Sequence, residues 1–289
     1  MAIATIDGLE IAYEVIGDGR RLWALTPGGR FSKDYGGVRA TAEALAARGQ
    51  RVIIWDRPNC GASSVCFTGE SESAMQADVL AGLLRSLDLG PAVIAGGSGG
   101  ARVSLLTAVR HPDVASALAM WWISGGVFGN IGLAVTYCSP SIKAAWTDGM
   151  EAVADLPEWS EVITRNPSNR DRFLRLDPHE FIATLERWMS AYCPQPGQLV
   201  AGTDDAAVHG LAIPTLVVRS GASDPHHTRA TSETLAGLIP GADLVEPPWG
   251  DREWVERMDA AAKGEALFDR WPLLVPRLIE WTAARRPDG

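Results

Sequence analysis

The chain has 289 residues, 46% hydrophobic and 21% charged, a balance that supports a sizeable core in one large domain or a domain carrying an insertion. Its formal charge of −9 argues against nucleic acid and against membranes as partners, since a nucleic acid or an anionic bilayer would select a basic face. No apolar run approaches the roughly 20 residues of a membrane span, and Met1-Ala2-Ile3-Ala4-Thr5-Ile6 has no basic stretch leading into an apolar one, so a cytoplasmic protein is expected. The four cysteines, Cys60, Cys66, Cys138 and Cys193, form no C-x-x-C pair and no cluster with histidine. They read as reduced thiols, and no metal or other cofactor is expected.

Residues 2–6 and 9–15 alternate in polarity around Asp7-Gly8 and predict a β-hairpin. Residues 22–26 form a buried strand that runs into Pro27-Gly28-Gly29-Arg30. A helix over 39–48 stops at Gly49, and a strand over 51–55 leads into the turn-rich stretch 56–64. Residues 71–87 have the spacing of a long amphipathic helix.

Then comes the most informative stretch, Val93-Ile94-Ala95-Gly96-Gly97-Ser98-Gly99-Gly100-Ala101-Arg102. It reads as a buried strand, a very tight turn and the start of a helix, which is the context a G-x-S-x-G nucleophile elbow requires. The glycines are needed because a neighbouring Cβ would clash with the strand or the helix, while the turn holds the serine in a strained backbone conformation. The helix ends at His111-Pro112, and residues 115–123 form another buried strand. Nearly all-apolar strands alternating with helices imply a parallel sheet covered on both faces.

From residue 124 to about 209 the rhythm changes to irregular helix broken by Pro140, Pro157, Pro167, Pro178, Pro194 and Pro196. Strands return at 214–219 and 242–246, with a helix over 229–238 between them and a final helix over 271–284. The expected organisation is a core of residues 1–124 and 210–289 with a helical lid over 125–209.

Taken together, Thr26-Pro27-Gly28-Gly29, Asp56-Arg57 with Gly61 and Ser63, Gly96-Gly97-Ser98-Gly99-Gly100, His111-Pro112, Pro214-Thr215-Leu216-Val217 and Gly221-Ala222-Ser223-Asp224 resemble, in order and spacing, a cap-bearing α/β-hydrolase-fold protein over nearly the whole length. The resemblance implies an α/β fold with a mostly parallel, doubly wound sheet. It implies Ser98 as nucleophile, Asp224 as the acid of the triad, and an oxyanion hole from the backbone N–H groups of Gly99 and Gly29. Where the family usually has His-Gly in that loop, this chain has Pro27-Gly28, so the loop needs a different support. Arg30 is placed to hold a substrate carboxylate or carbonyl, or else to lie solvated on the surface.

The general base is an open question. After the last strand the family carries a histidine, and here the chain reads Glu246-Pro247-Pro248-Trp249-Gly250-Asp251-Arg252-Glu253-Trp254. Asp251 takes the approximate place, either as a carboxylate base with a raised pKa or as the cap of a helix that starts at Arg252. His226 and His227 follow Asp224 directly, and His227 is the preferred candidate for an imidazole serving Ser98. A ring supplied from that loop would leave Asp224 unable to orient it in the usual way, with Asp251 taking that part. Trp122, Trp146, Trp188 and Trp249, together with His226, are candidates to line a largely apolar pocket for a small apolar or cyclic substrate.

The expectation is a hydrolase of a small ester, lactone or related acyl substrate acting through an acyl-enzyme. The alternatives are a lyase, cyclase or isomerase in the same pocket without a covalent step, or an inactive ligand-binding member. Association into a homo-oligomer is left open.

Overall fold

Among the described residues eight strands make one sheet: β1 (Ala2–Ile6), β2 (Leu9–Ile16), β3 (Leu22–Thr26), β4 (Arg51–Trp55), β5 (Ala92–Gly97), β6 (Ala115–Trp121), β7 (Thr215–Val218) and β8 (Asp243–Val245). The computed structural model describes residues 1–193 and 195–285. Pro194, one of the expected helix breakers, and residues 286–289, the end of the expected core segment, lie outside the described residues. The strand order is β1-β2-β4-β3-β5-β6-β7-β8. β1 and β2 pair antiparallel, as do β2 and β4, and the remaining neighbours are parallel. Asp7 and Gly8 turn the first hairpin with φ of 49° and 81°.

The helices are α1 (Val38–Ala46), α2 (Glu72–Ser86), α3 (Gly99–Arg110), α4 (Gly126–Ala154), α5 (Ser160–Arg165), α6 (Ser168–Leu174), α7 (Pro178–Tyr192), α8 (Asp205–His209), α9 (Arg229–Leu238), α10 (Glu253–Ala261) and α11 (Val275–Ala283). Strand alternation splits the core in two. Ile53, Trp55 and Ile94 join the layer that holds Leu80, Leu84 and Val103, whereas Val52, Ile54, Val93 and Ala95 join the layer that holds Leu45, Trp271 and Leu278. The strands are apolar throughout because each face meets its own helices.

Local chemistry sets several boundaries. Ser71 caps α2, its hydroxyl accepting from the Ala74 N–H at 3.1 Å. The expected single helix over 271–284 divides into a 3₁₀ turn, Trp271–Leu274, followed by α11, each with a proline in its first turn. Between β6 and β7 the chain is helical, from α4 through α8, and α4 packs along α7. Here the structure corrects two expectations. Trp188 is fully buried among Phe67, Phe181 and their neighbours, with its indole N–H donated to the Gly69 carbonyl at 3.2 Å. Trp146 is 74% exposed. Neither lines a pocket near Ser98.

Candidate active site

Ser98 sits between the end of β5 and the start of α3 with φ 57° and ψ −124°, a conformation that a side chain rarely adopts. Backbone crowding explains the flanking glycines. A Cβ on Gly96 would lie 2.6 Å from the Gly100 carbonyl carbon, and one on Gly100 would lie 2.2 Å from the Thr26 carbonyl oxygen.

The Ser98 Oγ lies 2.9 Å from His227 Nε2, and His227 Nδ1 lies 2.8 Å from Asp224 Oδ2. Because a carboxylate can only accept, the Nδ1–H points at Asp224 and the Nε2 lone pair is left for the serine hydroxyl. Asp224 Oδ1 accepts the backbone N–H groups of His226 and His227, both at 2.9 Å. Its Oδ2 also accepts from Arg257 Nη2 at 3.0 Å. Arg257 in turn donates from Nε to Glu253 Oε1 at 2.8 Å and lies 4.0 Å over the Trp122 ring. Asp224, His227, Glu253 and Arg257 are all buried.

Burial works to raise the Asp224 pKa, but the hydrogen bond and charge of His227, with the two backbone N–H groups, outweigh it and hold the carboxyl below its ordinary value. Burial depresses the His227 pKa, against the opposing pull of Asp224, and the Arg257 charge adds to the depression. The ring is therefore neutral and able to accept a proton near pH 7.

This geometry corrects two expectations about the base. Asp224 does orient the ring: its Oδ1 folds the 224–227 segment into a tight turn, which swings the His227 imidazole back to Oδ2. Asp251 does not take that part. Its exposed side chain pairs with Arg229, and its backbone carbonyl accepts the Ser223 N–H at 3.2 Å. Nor does it cap α10, whose N-cap position is Arg252 with no side-chain hydrogen bond. His226 lies against Phe128 and Trp254, with ring centroids at 5.4 Å and 4.9 Å.

The loop after β3 runs beside Ser98. A Cβ on Gly99 would lie 3.3 Å from the Gly29 backbone nitrogen, so the backbones of Gly29 and Gly99 approach closely at the serine. Arg57 supplies the loop support that Pro27 cannot. Its Nη2 donates to the carbonyls of Gly28 at 3.1 Å and Gly29 at 2.5 Å, and its Nη1 donates to Gln76 Oε1 at 3.4 Å. Only the position of Arg57 after Asp56 was visible in the sequence, and nothing there assigned it this duty.

A small cavity of about 20 Å³ opens beside Ser98, room for about one water. Arg30, Arg57, Glu72, Arg102, Tyr137 and Tyr192 contribute to its lining, so the expected apolar pocket is corrected to a polar one. Tyr137 comes from α4 and Tyr192 from α7, which puts these helices over the serine. Arg30 does reach the cavity, but Glu72 holds its guanidinium through two hydrogen bonds of 3.2 and 3.3 Å. Trp122 and Trp249 pack on each other at 5.4 Å, within or against the core layer that contains Trp271, and do not line the cavity. Arg102 and Arg257 were missed. The first is four residues past Ser98, a spacing that sequence could have flagged. The second reads in sequence as an ordinary surface i, i+4 pair with Glu253.

A family model described as the alpha/beta hydrolase family matches residues 17–263. The chain belongs to the alpha/beta hydrolase family. Among proteins of known activity, this hydrolase-family chain is similar to a 2-hydroxy-6-oxononadienedioate/2-hydroxy-6-oxononatrienedioate hydrolase from Burkholderia vietnamiensis (strain G4 / LMG 22486). The identity is 32% over 123 residues, and the match spans 42% of each chain. The enol-lactonase from Burkholderia xenovorans LB400 superposes with a TM-score of 0.58 at 22% identity, covering 98% of this chain and 100% of that one. A meta-cleavage product hydrolase from Pseudomonas fluorescens IP01 gives 0.58 at 20% identity, covering 99% and 98%. At such identities the two structures show a common fold.

Proposed function

We propose that the protein is a serine hydrolase of small ester, lactone or related acyl substrates, with Ser98, His227 and Asp224 as its triad. The observation that carries this reading is the pair of hydrogen bonds from Ser98 to His227 and from His227 to Asp224, at 2.9 and 2.8 Å. They connect a strained serine, a neutral ring and an ionised, buried carboxylate in the arrangement that activates a hydroxyl.

In the first step the Ser98 Oγ attacks the acyl carbonyl carbon and passes its proton to His227 Nε2. Asp224 stabilises the imidazolium without itself taking the proton. The carbonyl oxygen receives the electron pair of its π bond and is held by the N–H groups of Gly29 and Gly99, at the N-terminus of α3 where the helix dipole favours negative charge. Collapse of the intermediate restores the carbonyl, breaks the bond to the leaving oxygen and returns the proton from His227 to it. Water, deprotonated by the same ring, then releases the acid from Ser98. Helices α4 and α7 act as the lid, and Arg57 keeps the oxyanion loop in place.

The family membership and the partial match to a known hydrolase are in keeping with this chemistry. Labelling by a fluorophosphonate probe tests it, because the probe reacts only with an activated serine. The wild-type protein should be labelled at Ser98, and Ser98→Ala and His227→Ala should not. A wild-type protein that takes no label and hydrolyses no activated ester would overturn the reading.

A further inference from the structure

Three guanidinium groups, those of Arg30, Arg57 and Arg102, line the cavity beside Ser98, against one carboxylate, that of Glu72. Glu72 is already engaged: its two oxygens accept from Arg30, and one also accepts from Asn59 Nδ2 at 2.9 Å. Among the described residues neither Arg57 nor Arg102 has a carboxylate partner. Both are buried, at 2% and 5% exposure. A buried cation without a counter-charge carries a large desolvation cost, and an anionic ligand relieves it.

Arg102 is the more informative of the two. Its Nε donates to Ser73 Oγ at 2.8 Å and its Nη2 to the Tyr192 hydroxyl at 3.1 Å. Tyr192 supplies no charge, because burial pushes its phenol up to about 12. Ser73 and Tyr192 fix one edge of the guanidinium. Nη1 is buried with no partner, and Nη2 keeps a second N–H, so the end-on fork of the group is unused. That fork matches the two oxygens of a carboxylate. The side chain leaves α3 four residues after Ser98, about 6 Å along the helix axis, and it reaches the same cavity.

We infer that the substrate carries a carboxylate that pairs end-on with Arg102 while its acyl carbonyl lies at Ser98, α4 and α7 shifting to enlarge a cavity that now has room for about one water; the inference rests on the proposed hydrolase reading. Arg57 adds a second, longer-range positive charge at the loop of Gly28 and Gly29. The substrate class is thus a small acidic ester or lactone in place of a neutral apolar one.

Binding can be measured apart from catalysis in the Ser98→Ala protein, by calorimetric titration with monomethyl glutarate and with its neutral counterpart, dimethyl glutarate. The acid should bind at least tenfold more tightly than the diester. Arg102→Met should bring the ratio to within about threefold of one, and Arg102→Lys, which keeps the charge but not the fork, should give an intermediate ratio. Equal affinities, tighter binding of the diester, or no binding of the acid at up to 50-fold the concentration that binds the diester would overturn the inference. The comparison of two ligands on one protein stands even where an Arg102 variant fails to fold. The fluorophosphonate result reports separately on the hydrolase reading: a labelled serine with no preference for the acid sinks only the carboxylate inference, and an unlabelled serine with a clear preference sinks only the mechanism.

Discussion

His227 lies three residues past Asp224 on one loop, and the Asp224 carboxylate meets both the backbone and the ring of that segment. One oxygen closes the turn, and the other accepts the imidazole N–H. A single aspartate thus shapes the loop and orients the ring.

Removing the ring should therefore cost far more than removing the carboxylate after β8. His227→Ala is expected to lower kcat/KM on an activated ester by about 10²–10⁴, the usual scale for loss of a general base. Asp251→Asn, which alters only an exposed ion pair with Arg229, should stay within about twofold. Steady-state kinetics on the two variants decide the matter, and a large loss in Asp251→Asn would return that residue to the reaction.

The acid limb of the pH profile should fall unusually low. As the proposed base, His227 would act in its neutral form, and burial holds its pKa below its ordinary 6.5. Activity should then persist as pH falls through 6.5 and fade only beneath it. Stability follows the same sign: with a folded pKa below the unfolded one, the contribution is present above the unfolded value and is lost as pH falls through the folded value. Arg257→Met removes a cation that depresses the ring, so its acid limb should move upward. A limb at or above 6.5 in the wild-type protein would contradict the burial argument.

Arg257 and Glu253 should show strong coupling in stability. Arg257→Met strips the partner from a carboxylate that is 2% exposed and whose pKa burial already raises. The expected cost is about 3–5 kcal/mol in urea denaturation. Replacing both groups, as in Arg257→Met with Glu253→Leu, should recover part of that loss, because no unpaired charge stays buried. Additive losses would mean that the pair is not coupled.

The elbow glycines should be intolerant in a site-specific way. Gly100→Ala puts a methyl group 2.2 Å from the Thr26 carbonyl oxygen, where backbone cannot yield locally. Its cost should reach or exceed the top of the about 1–3 kcal/mol range for overpacking. Gly132→Ala, within α4 and with nothing near its added methyl group, should be neutral or stabilising by up to about 1 kcal/mol. Thermal denaturation of the pair separates crowding from a general effect of losing glycine.

The fold was legible because its signals are local. Apolar strands such as Val93-Ile94-Ala95, the glycines around Ser98 and the turn at Asp7-Gly8 each constrain their own few residues. The site was only partly legible. Ser98 directly follows β5 and Asp224 lies on the loop that leaves β7, where position implies proximity. His227 was a preferred candidate, but its partner was misjudged, because a three-residue return of a side chain to its own loop depends on turn geometry that spacing does not reveal. The polar cavity was missed for another reason. Trp146 and Trp188 share the helical segment, yet one is exposed and the other lies in an aromatic core, and the walls come instead from Arg57, Glu72 and Arg102 on separate elements. Arg257 was invisible in sequence, since an E-x-x-x-R pair looks the same whether buried or solvated.

The placement of the ring on the aspartate's own loop also bears on how such chains are recognised. A signature that demands a histidine downstream of the final strand would file this sequence with degenerate scaffolds, although Ser98, His227 and Asp224 lie in series within hydrogen-bond distance. An Asp-x-x-His tetrad on the loop that follows the strand after the helical segment is a better query. Applied to relatives that lack the downstream histidine, it would sort those that moved the ring from those that lost it.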